Sequence, residues 1–307
     1  MKFSTHLCHP KLRSEVLKVL RKCSECDQYK LLGKGYGHLP PRNTKIQPWE
    51  EVACDTIGPW KIKVNGQVVE FKALTSIDTV SNVCELVRVD NGTAAEAANK
   101  FESSWLHRYP RPTTCIHDNG PEFQFSFIQK LQQWGIKNVP TTSRNPQANS
   151  VCERMHQTVG NILRTYIHTH PPRNLTEARA LVDKALGVAQ HAMRSTIHRA
   201  LRVSPGALVF HRDMLLNLPL IANLLTIADR RQQLIDDNLR RQNAKRIFHD
   251  YKVGDWVSLI IENPAKLDPR TVNRFQIVQV NVNGTVTIQR SPTVTDRINI
   301  RRSRPCQ

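Results

Sequence analysis

The order of strand-like and helix-like segments between residues 48 and 200 constrains the fold of this chain more than any other feature. Three strand-like runs, at 51–57, 70–77 and 82–89, come first, and together they predict an antiparallel meander. Helical and strand patterns then alternate at 93–107, 113–117, 123–134, 136–140 and 147–168, with Thr93 as the expected N-cap of the first helix. The order β-β-β-α-β-α-β-α predicts an α/β domain.

Three acidic residues occupy positions of this pattern that suit a reactive site. Asp118 follows the 113–117 strand, and strands of α/β sheets carry ligand-binding side chains at their carboxyl ends. Asp55 lies near the end of the first strand, and Glu153 lies in the first turns of the last helix. Three converging carboxylates can hold the two divalent cations used in phosphoryl transfer, which predicts a metal-dependent nucleic-acid enzyme. The plainer alternatives are an Asx turn at Asp118 and an ordinary strand-end residue at Asp55.

The residues around the three acids carry a resemblance to a known family. The segments Asp55-Thr-Ile-Gly-Pro-Trp60, Asp118-Asn-Gly-Pro-Glu-Phe123 and Asn145-Pro-Gln-Ala-Asn-Ser-Val-Cys-Glu-Arg154, in that order, resemble the catalytic core of retroviral and gypsy-type retrotransposon integrases. The separation of 35 positions between Asp118 and Glu153 is one shorter than is usual there, which a surface helix or turn can absorb. The resemblance implies a ribonuclease-H-like core, with a mixed five-stranded sheet and flanking helices, followed by a small all-β SH3-like barrel.

The resemblance also implies an activity, that of a polynucleotidyl transferase and endonuclease of the DDE type. Asp55, Asp118 and Glu153 would hold two Mg²⁺ or Mn²⁺ ions. Water would trim a 3′ end of the element DNA, and the freed 3′ hydroxyl would attack a target phosphodiester, without a protein nucleophile. One alternative stays open, a catalytically decayed or domesticated DNA-binding protein of integrase descent. A ribonuclease-H-type hydrolase shares the fold but is disfavoured by the Asn-Pro-Gln helix and the terminal barrel.

The helix that carries Glu153 is predicted to be amphipathic. At about 100° per residue, Glu153, Gln157 and Arg164 share a polar stripe, opposite an apolar side that includes Met155 and Val159. Polar residues on and just before this helix are therefore candidate DNA contacts, although a solvated face is the alternative for each. These residues are Gln147, Asn149, Arg154, Gln157 and Arg164.

Composition favours a polyanionic partner. Lys and Arg number 44 against 26 for Asp and Glu, which gives a net charge of +18 and a pI near 9.9. Charge alone would also fit a basic ribosomal or merely soluble protein, whereas the resemblance implies element-end and target DNA and a homo-multimer. No apolar run is long enough for a membrane span or a signal core, and the eight cysteines are scattered. These features predict a reducing intracellular setting, nuclear or cytoplasmic.

The N-terminal segment, residues 1–47, is expected to be a truncated zinc module and a linker. Cys23-Ser-Glu-Cys26 resembles the second half of a His-His-Cys-Cys module, whose histidine pair would lie before Met1. The Zn²⁺ site is therefore expected to be incomplete, with Cys8 or His9 as makeshift ligands. Core packing is expected for the apolar side of the preceding helix, formed by Val16, Leu17, Val19 and Leu20. The Gly- and Pro-rich stretch 32–42 reads as a linker.

Three further segments complete the predicted organisation. They are a catalytic core at 48–205, a basic helical linker at 206–250 and a barrel at 251–307. In the barrel, strands are expected at 251–259, 275–280, 284–290 and 298–305, and Asn283-Gly284 predicts a turn. The last strand has a basic edge, so Arg301 and Arg302 are expected to neutralise DNA phosphates, with a solvated tail as the alternative.

Overall fold

A computed structural model of the protein describes residues 11–23, 28–29, 33–141, 150–216 and 218–306, without the side chains of 20–22, 150–154 and 273. The chain divides into two compact units. One, here the core unit, comprises residues 43–235. The other, the barrel unit, combines residues up to 42 with residues from 236 onward.

The described α-helices are α1 Leu12–Lys22, α2 Ala94–Phe101, α3 Ser126–Gln133, α4 Ser150–Thr169, α5 Leu175–Ser195, α6 Pro205–Phe210 and α7 Leu224–Asn243. A π-helix, Glu102–Leu106, and two 3₁₀ turns, Pro121–Phe123 and Ile300–Arg302, accompany them. The described strands are β1 Gly35–Tyr36, β2 Glu51–Val64, β3 Gln67–Asp78, β4 Cys84–Val89, β5 Thr114–His117, β6 Lys137–Pro140, β7 Arg246–Ile247, β8 Trp256–Ile260, β9 Thr271–Asn281, β10 Thr285–Ser291, β11 Val294–Asn299 and β12 Ser303–Pro305.

The core unit is built on a mixed five-stranded sheet in the order β4-β3-β2-β5-β6. Strands β2, β3 and β4 form the predicted antiparallel meander, while β5 and β6 run parallel to β2. Helices cover both faces, because successive strand residues point to opposite sides and both sides are apolar. Ala53 packs toward α4 and α5, whereas Val52 and Cys54 pack toward α2 and α3. The predicted ribonuclease-H-like architecture is confirmed.

Two of the predicted helices are interrupted. Thr93 caps α2 as expected, since its side chain accepts a hydrogen bond from the Glu96 amide. The segment then continues as the π-helix, in which the His107 amide bonds to the Glu102 carbonyl. In the segment predicted as one helix at 123–134, Phe125 has φ of 41°, so a 3₁₀ turn and α3 replace a single element.

The N-terminal helix differs from its prediction in the environment of its apolar side. Val16, Leu17 and Val19 of α1 are exposed, with Val19 at 70%. Core packing is therefore wrong for these three side chains, and that of Leu20 lies outside the described residues. The helix itself is present, and α1 contains all four of the residues whose apolar spacing indicated it.

The barrel unit contains a curled antiparallel sheet in the order β11-β10-β9-β8-β12. Its interior is lined by Val257, Ile277, Val286 and Ile288, which alternate with outward residues along their strands. The segment 298–305, predicted as one strand, is divided between β11, the 3₁₀ turn Ile300–Arg302 and β12. The division arises because the Asn299 side chain accepts from the Arg301 amide and turns the backbone.

Part of the stretch that reads as a linker is folded into the barrel unit. Strand β1 pairs in parallel with β7, and Leu39 is buried in the barrel's apolar interior. The Leu39 amide donates to the side chain of Asn243, at 2.8 Å. No helix of the described ranges is both long and apolar enough to cross a membrane.

Candidate active site

Asp55 lies in β2, and Asp118 directly follows the neighbouring strand β5. Strands β2 and β5 are parallel neighbours, with Ala53 opposite Ile116. Continued by two residues past this pair, the register would set Asp55 beside Asp118. Adjacent strands lie about 4.8 Å apart, so two carboxylates at equal height on one face can share a ligand.

Asp55 belongs to the sheet face that α4 covers, and Asp118 follows a strand whose Ile116 packs on that face. Ala53, Ile57 and Ile116 pack in the cluster that contains Met155 of α4. Asp55 is two residues from both Ala53 and Ile57 in β2, so it points to the same face as they do. Asp118 comes two residues after Ile116, just past the end of β5. Helix α4 begins at Ser150, so the backbone of Glu153 lies in its first turn. The Glu153 side chain lies outside the described residues.

The Asp118 carboxylate is exposed and forms the Asx turn expected for Asp-Asn-Gly. Its Oδ1 accepts a hydrogen bond from the Gly120 amide at 3.0 Å. The turn and the ligand interpretations are compatible, because Oδ2 has no hydrogen bond to a described residue. Asp55 is half-buried, and its Oδ1 accepts from the Thr56 amide at 2.8 Å.

A fourth carboxylate lies close to the Asp118 turn. A Cβ placed on Gly120 would be 2.6 Å from Oε2 of Glu122 and 3.0 Å from Oδ1 of Asp118. Glu122 is not among the site residues that the sequence predicted. The Gly120 turn, which folds the chain back at residues 118–122, is the signal that would have found it.

His117 positions the Asp118 turn from inside the protein. The ring is buried, its Nδ1 faces the Asp118 carbonyl and its Nε2 faces Oδ1 of Asn138 at 2.6 Å. Phe123 stacks on the ring at 5.1 Å between centroids. Sequence reasoning missed this residue, although a polar side chain in a strand of buried type was an available signal.

The candidate DNA contacts of the core have different exposures. Gln157 and Arg164 are exposed on α4, opposite the buried Met155 and Val159, which confirms the amphipathic pattern. Arg164 bonds to the Gly160 carbonyl and to Oδ1 of Asn161. The remaining candidates of this group lie outside the described residues, fully for Gln147 and Asn149 and in its side chain for Arg154.

The two barrel arginines have protein partners. Arg302 is ion-paired with Glu262 at 3.4 Å, and its side chain is only 14% exposed. Arg301 is half-buried and donates to Oε1 of Gln242. Burial, together with the nearby cations Arg42 and Arg246, lowers the pKa of Arg301. A freely solvated basic edge is therefore not what this part of the barrel forms.

The described side chains include some of the ligands expected for the predicted metal ions. Asp55 and Asp118 offer carboxylate oxygens, the ligands that Mg²⁺ and Mn²⁺ prefer, from β2 and from the turn that follows the neighbouring strand β5. Within the described residues, no group of three or more His, Cys, Asp or Glu is arranged for a metal. Cys23 is described and half-buried, whereas Cys26, Cys8 and His9 lie outside the description, so the zinc expectation stays a prediction.

Sequence comparison relates the chain to mobile-element polyproteins. No family model matches it. It is 28% identical over 169 residues to a retrovirus-related Pol polyprotein from transposon 412 of Drosophila melanogaster, covering 55% of this chain and 13% of that protein. It is 25% identical over 213 residues to the transposon Tf2-3 polyprotein of Schizosaccharomyces pombe, covering 66% and 14%. The chain thus spans about a seventh of the length of these relatives.

Structural comparison identifies the fold. A simian T-cell lymphotropic virus intasome, solved in complex with a PP2A regulatory subunit, aligns over 99% of this chain and 93% of its own, with a TM-score of 0.63 and 17% identity. The HTLV-2 integrase catalytic core domain in complex with magnesium aligns over 54% and 97%, with a TM-score of 0.42 and 17% identity. The chain is therefore related in sequence to retrotransposon Pol polyproteins and has the fold of a retroviral integrase, with a ribonuclease-H-like core and an SH3-like barrel.

Proposed function

We propose that this protein is a retroelement integrase that catalyses metal-dependent 3′ processing and strand transfer of element DNA into target DNA. The observation that supports the proposal is the parallel pairing of β2, which contains Asp55, with β5, which Asp118 directly follows. Continued by two residues, this register would set the two carboxylates side by side. The Glu153 backbone in the first turn of α4 fits the third position of the acidic set. The relationship to Pol polyproteins supports DNA integration as the setting.

In this proposal the protein holds the metal ions and orients the DNA, and it supplies no nucleophile. Asp55, Asp118 and Glu153 would hold two Mg²⁺ or Mn²⁺ ions. When bound, such ions supply charge stabilisation to the attacking and leaving oxygens of an in-line displacement at phosphorus. His117 fixes the backbone carbonyl of Asp118, and the Gly120 amide fixes one oxygen of its carboxylate, so this ligand needs little reorganisation.

We further propose that DNA is bound through basic and polar side chains around this site. On the core, the contacts are assigned to Gln147, Asn149, Arg154, Gln157 and Arg164. In the barrel, the contacts are assigned to Arg301 and Arg302. Each would either leave its protein partner for a DNA phosphate or contact both. The structural neighbour is an intasome, and we infer by analogy that this chain assembles as a homo-multimer on element ends.

The direct test is strand transfer with labelled element-end DNA and Mg²⁺. Asp118→Asn keeps the shape of the side chain but removes a charge that neutralises metal, so we expect joining to fall at least about 100-fold. Affinity for DNA should stay level or rise slightly, because a negative charge near the phosphates is lost. Chelation of Mg²⁺ should abolish joining by the unchanged protein.

The matched control is Asp229→Asn, an identical change at an exposed aspartate of α7. It should join DNA as the unchanged protein does. Undiminished joining by the Asp118→Asn protein would refute the assigned site. A decayed or domesticated DNA-binding protein, the alternative, is favoured instead if the unchanged chain binds element DNA but joins none with either Mg²⁺ or Mn²⁺.

A further inference from the structure

The outer surface of the barrel sheet carries a cleft that the proposed function does not use. Its volume is about 460 Å³, and its lining consists of one exposed aromatic residue, two arginines, two glutamines and the edge of a buried ring. The lining residues are Trp256, Arg274, Phe275, Gln276, Gln289 and Arg290. We call it the Trp256 cleft.

The strand ladder explains why an indole lies in this cleft. Trp256 of β8 is paired with Gln276 of β9, and directly opposed residues of an antiparallel pair share a face. The next pair, Val257 and Phe275, faces the barrel interior and is buried. Trp256 therefore points outward, and it is 51% exposed. A large indole left half in water at the mouth of a cleft is available to a ligand.

The two arginines of the cleft differ in their protein partners. Arg290 lies over the Phe275 ring at 5.3 Å and is paired with Asp296 at 2.9 Å. Arg274 is exposed and has no hydrogen bond or ion pair to any residue that the structure describes. Asp255, the neighbour of Trp256, directs its carboxylate to the Lys252 amide. Arg274 thus adds positive charge that no described carboxylate neutralises.

The amide side chains that complete the cleft are already ordered. The Gln276 side chain donates to the Gly254 carbonyl at 3.4 Å, and that of Gln289 donates to the Ser291 carbonyl at 2.6 Å. These hydrogen bonds restrict the two side chains before any ligand arrives, which reduces the conformational entropy lost on binding.

We propose that the Trp256 cleft binds an unpaired nucleotide of DNA, with the base stacked on the Trp256 indole and an adjacent phosphate neutralised by Arg274. Bases within a duplex are already covered on both faces, so stacking on a protein aromatic selects single-stranded or frayed DNA. The inference deepens the proposed function, because it assigns the single-stranded part of element-end DNA to a surface different from that of Arg301 and Arg302.

The test measures binding, without metal, of a labelled 12-nucleotide single strand and of a blunt duplex, using the full chain with Asp118→Asn. Trp256→Leu should weaken binding of the single strand about ten-fold and that of the duplex less than two-fold. Trp256→Phe, which keeps an aromatic ring, should recover most of the single-strand affinity. Phe248→Leu changes an exposed aromatic of the same unit outside the cleft and should leave both affinities unchanged.

Charge is tested separately through the salt dependence. Arg274→Gln should flatten the plot of log affinity for the single strand against log salt concentration by about 0.7. Lys266→Gln, an equal loss of charge at an exposed position outside the cleft, should leave the slope unchanged. Equal losses for single strand and duplex with Trp256→Leu, or unchanged binding of both, would overturn the proposal. Because binding is measured without metal and does not depend on joining, these outcomes are independent of the integrase assay.

Discussion

At the scale of single residues, Glu85 shows how the core unit stabilises a buried charge. Its side chain is 3% exposed. Arg194 of α5 donates to Oε1 at 2.5 Å, and the Tyr109 hydroxyl donates to the same oxygen at 2.6 Å. Burial and this hydrogen bond raise the pKa of Tyr109 to about 12. The group ties β4, α5 and the chain after the π-helix together.

Removing the cation from this group should cost much of the stability of the core unit. Arg194→Met keeps most of the side-chain volume but leaves the buried Glu85 carboxylate with only the exposed Arg108, at 3.9 Å, as a charge partner, so we expect a loss of about 3 kcal/mol in the free energy of unfolding. Urea titration followed by tryptophan fluorescence measures it. Lys61→Met, at an ion pair whose side chains are 66% and 51% exposed, should cost less than about 1 kcal/mol. Similar small losses in both variants would contradict this account.

Some residue roles could be predicted from the sequence and others could not. Asp118 was found because local pattern fixes a strand end, and its Asx turn uses residues two apart. Arg302 pairs with Glu262, and Arg301 bonds to Gln242. Both partners are distant in sequence, so no local pattern predicts these contacts. A polar residue in a buried strand marks His117 as unusual, but its contact with Asn138 of the neighbouring strand is not visible in the local sequence.

At the scale of elements, β2 is interrupted by a bulge just after Asp55. The pairing of β2 with β3 shifts register between Ile57 and Trp60, so the ladder has one segment before the bulge and a second segment after it. Gly58 lies in the bulge with φ of +116°, a conformation that side chains disfavour. The Gly-Pro of the Asp55 motif thus has a backbone role, which sequence reasoning used only as part of a resemblance.

Substitution in the bulge should be costly for two reasons. In Gly58→Ala the new Cβ would lie 2.7 Å from the Phe71 carbonyl oxygen, in addition to the disfavoured φ, so we expect a loss of about 3 kcal/mol in the free energy of unfolding. Gly66→Ala, at φ of +79° with open space around the added Cβ, should lose only about 1 kcal/mol. Thermal and urea unfolding compare the two, and equal losses would show that the close approach to β3 is unimportant.

The periodicity of side chains predicted most elements but not their irregularities. The meander, α4 and β5 were predicted because alternation and helical spacing are set by which faces are buried. The π-helix was not, since its extra residue per turn is chosen by tertiary packing that buries Trp105 and Leu106. The break at Phe125 was missed because nothing local announces a positive φ at a phenylalanine.

At the scale of the whole molecule, the barrel unit is assembled from two distant parts of the chain. The bond between Leu39 and Asn243 joins residues 204 positions apart. Composition marks 32–42 as Gly- and Pro-rich, and such a stretch looks the same in sequence whether it is a free linker or packs as extended chain. Only the three-dimensional contacts reveal its place.

Leu39 should therefore contribute to the stability of the barrel. Leu39→Ala removes a buried side chain from the interior that contains Tyr251 and Ile300, and we expect a loss of about 2–3 kcal/mol. Hydrogen exchange measures this loss. The β9 and β10 amides that exchange only through global opening of this unit should exchange about 30-fold faster or more. Ile46→Ala, at an exposed residue of the core unit, should leave those amides unchanged.

The assembly of one unit from two separated segments also determines the order in which the protein can fold during synthesis. Residues 33–40 leave the ribosome before the core unit, and residues from 236 onward leave after it. At about 5–20 residues per second, the early segment waits tens of seconds for its partners. In that interval Leu39 has no barrel interior to enter, while the core unit, which is continuous in sequence from 43 to 235, can already be complete.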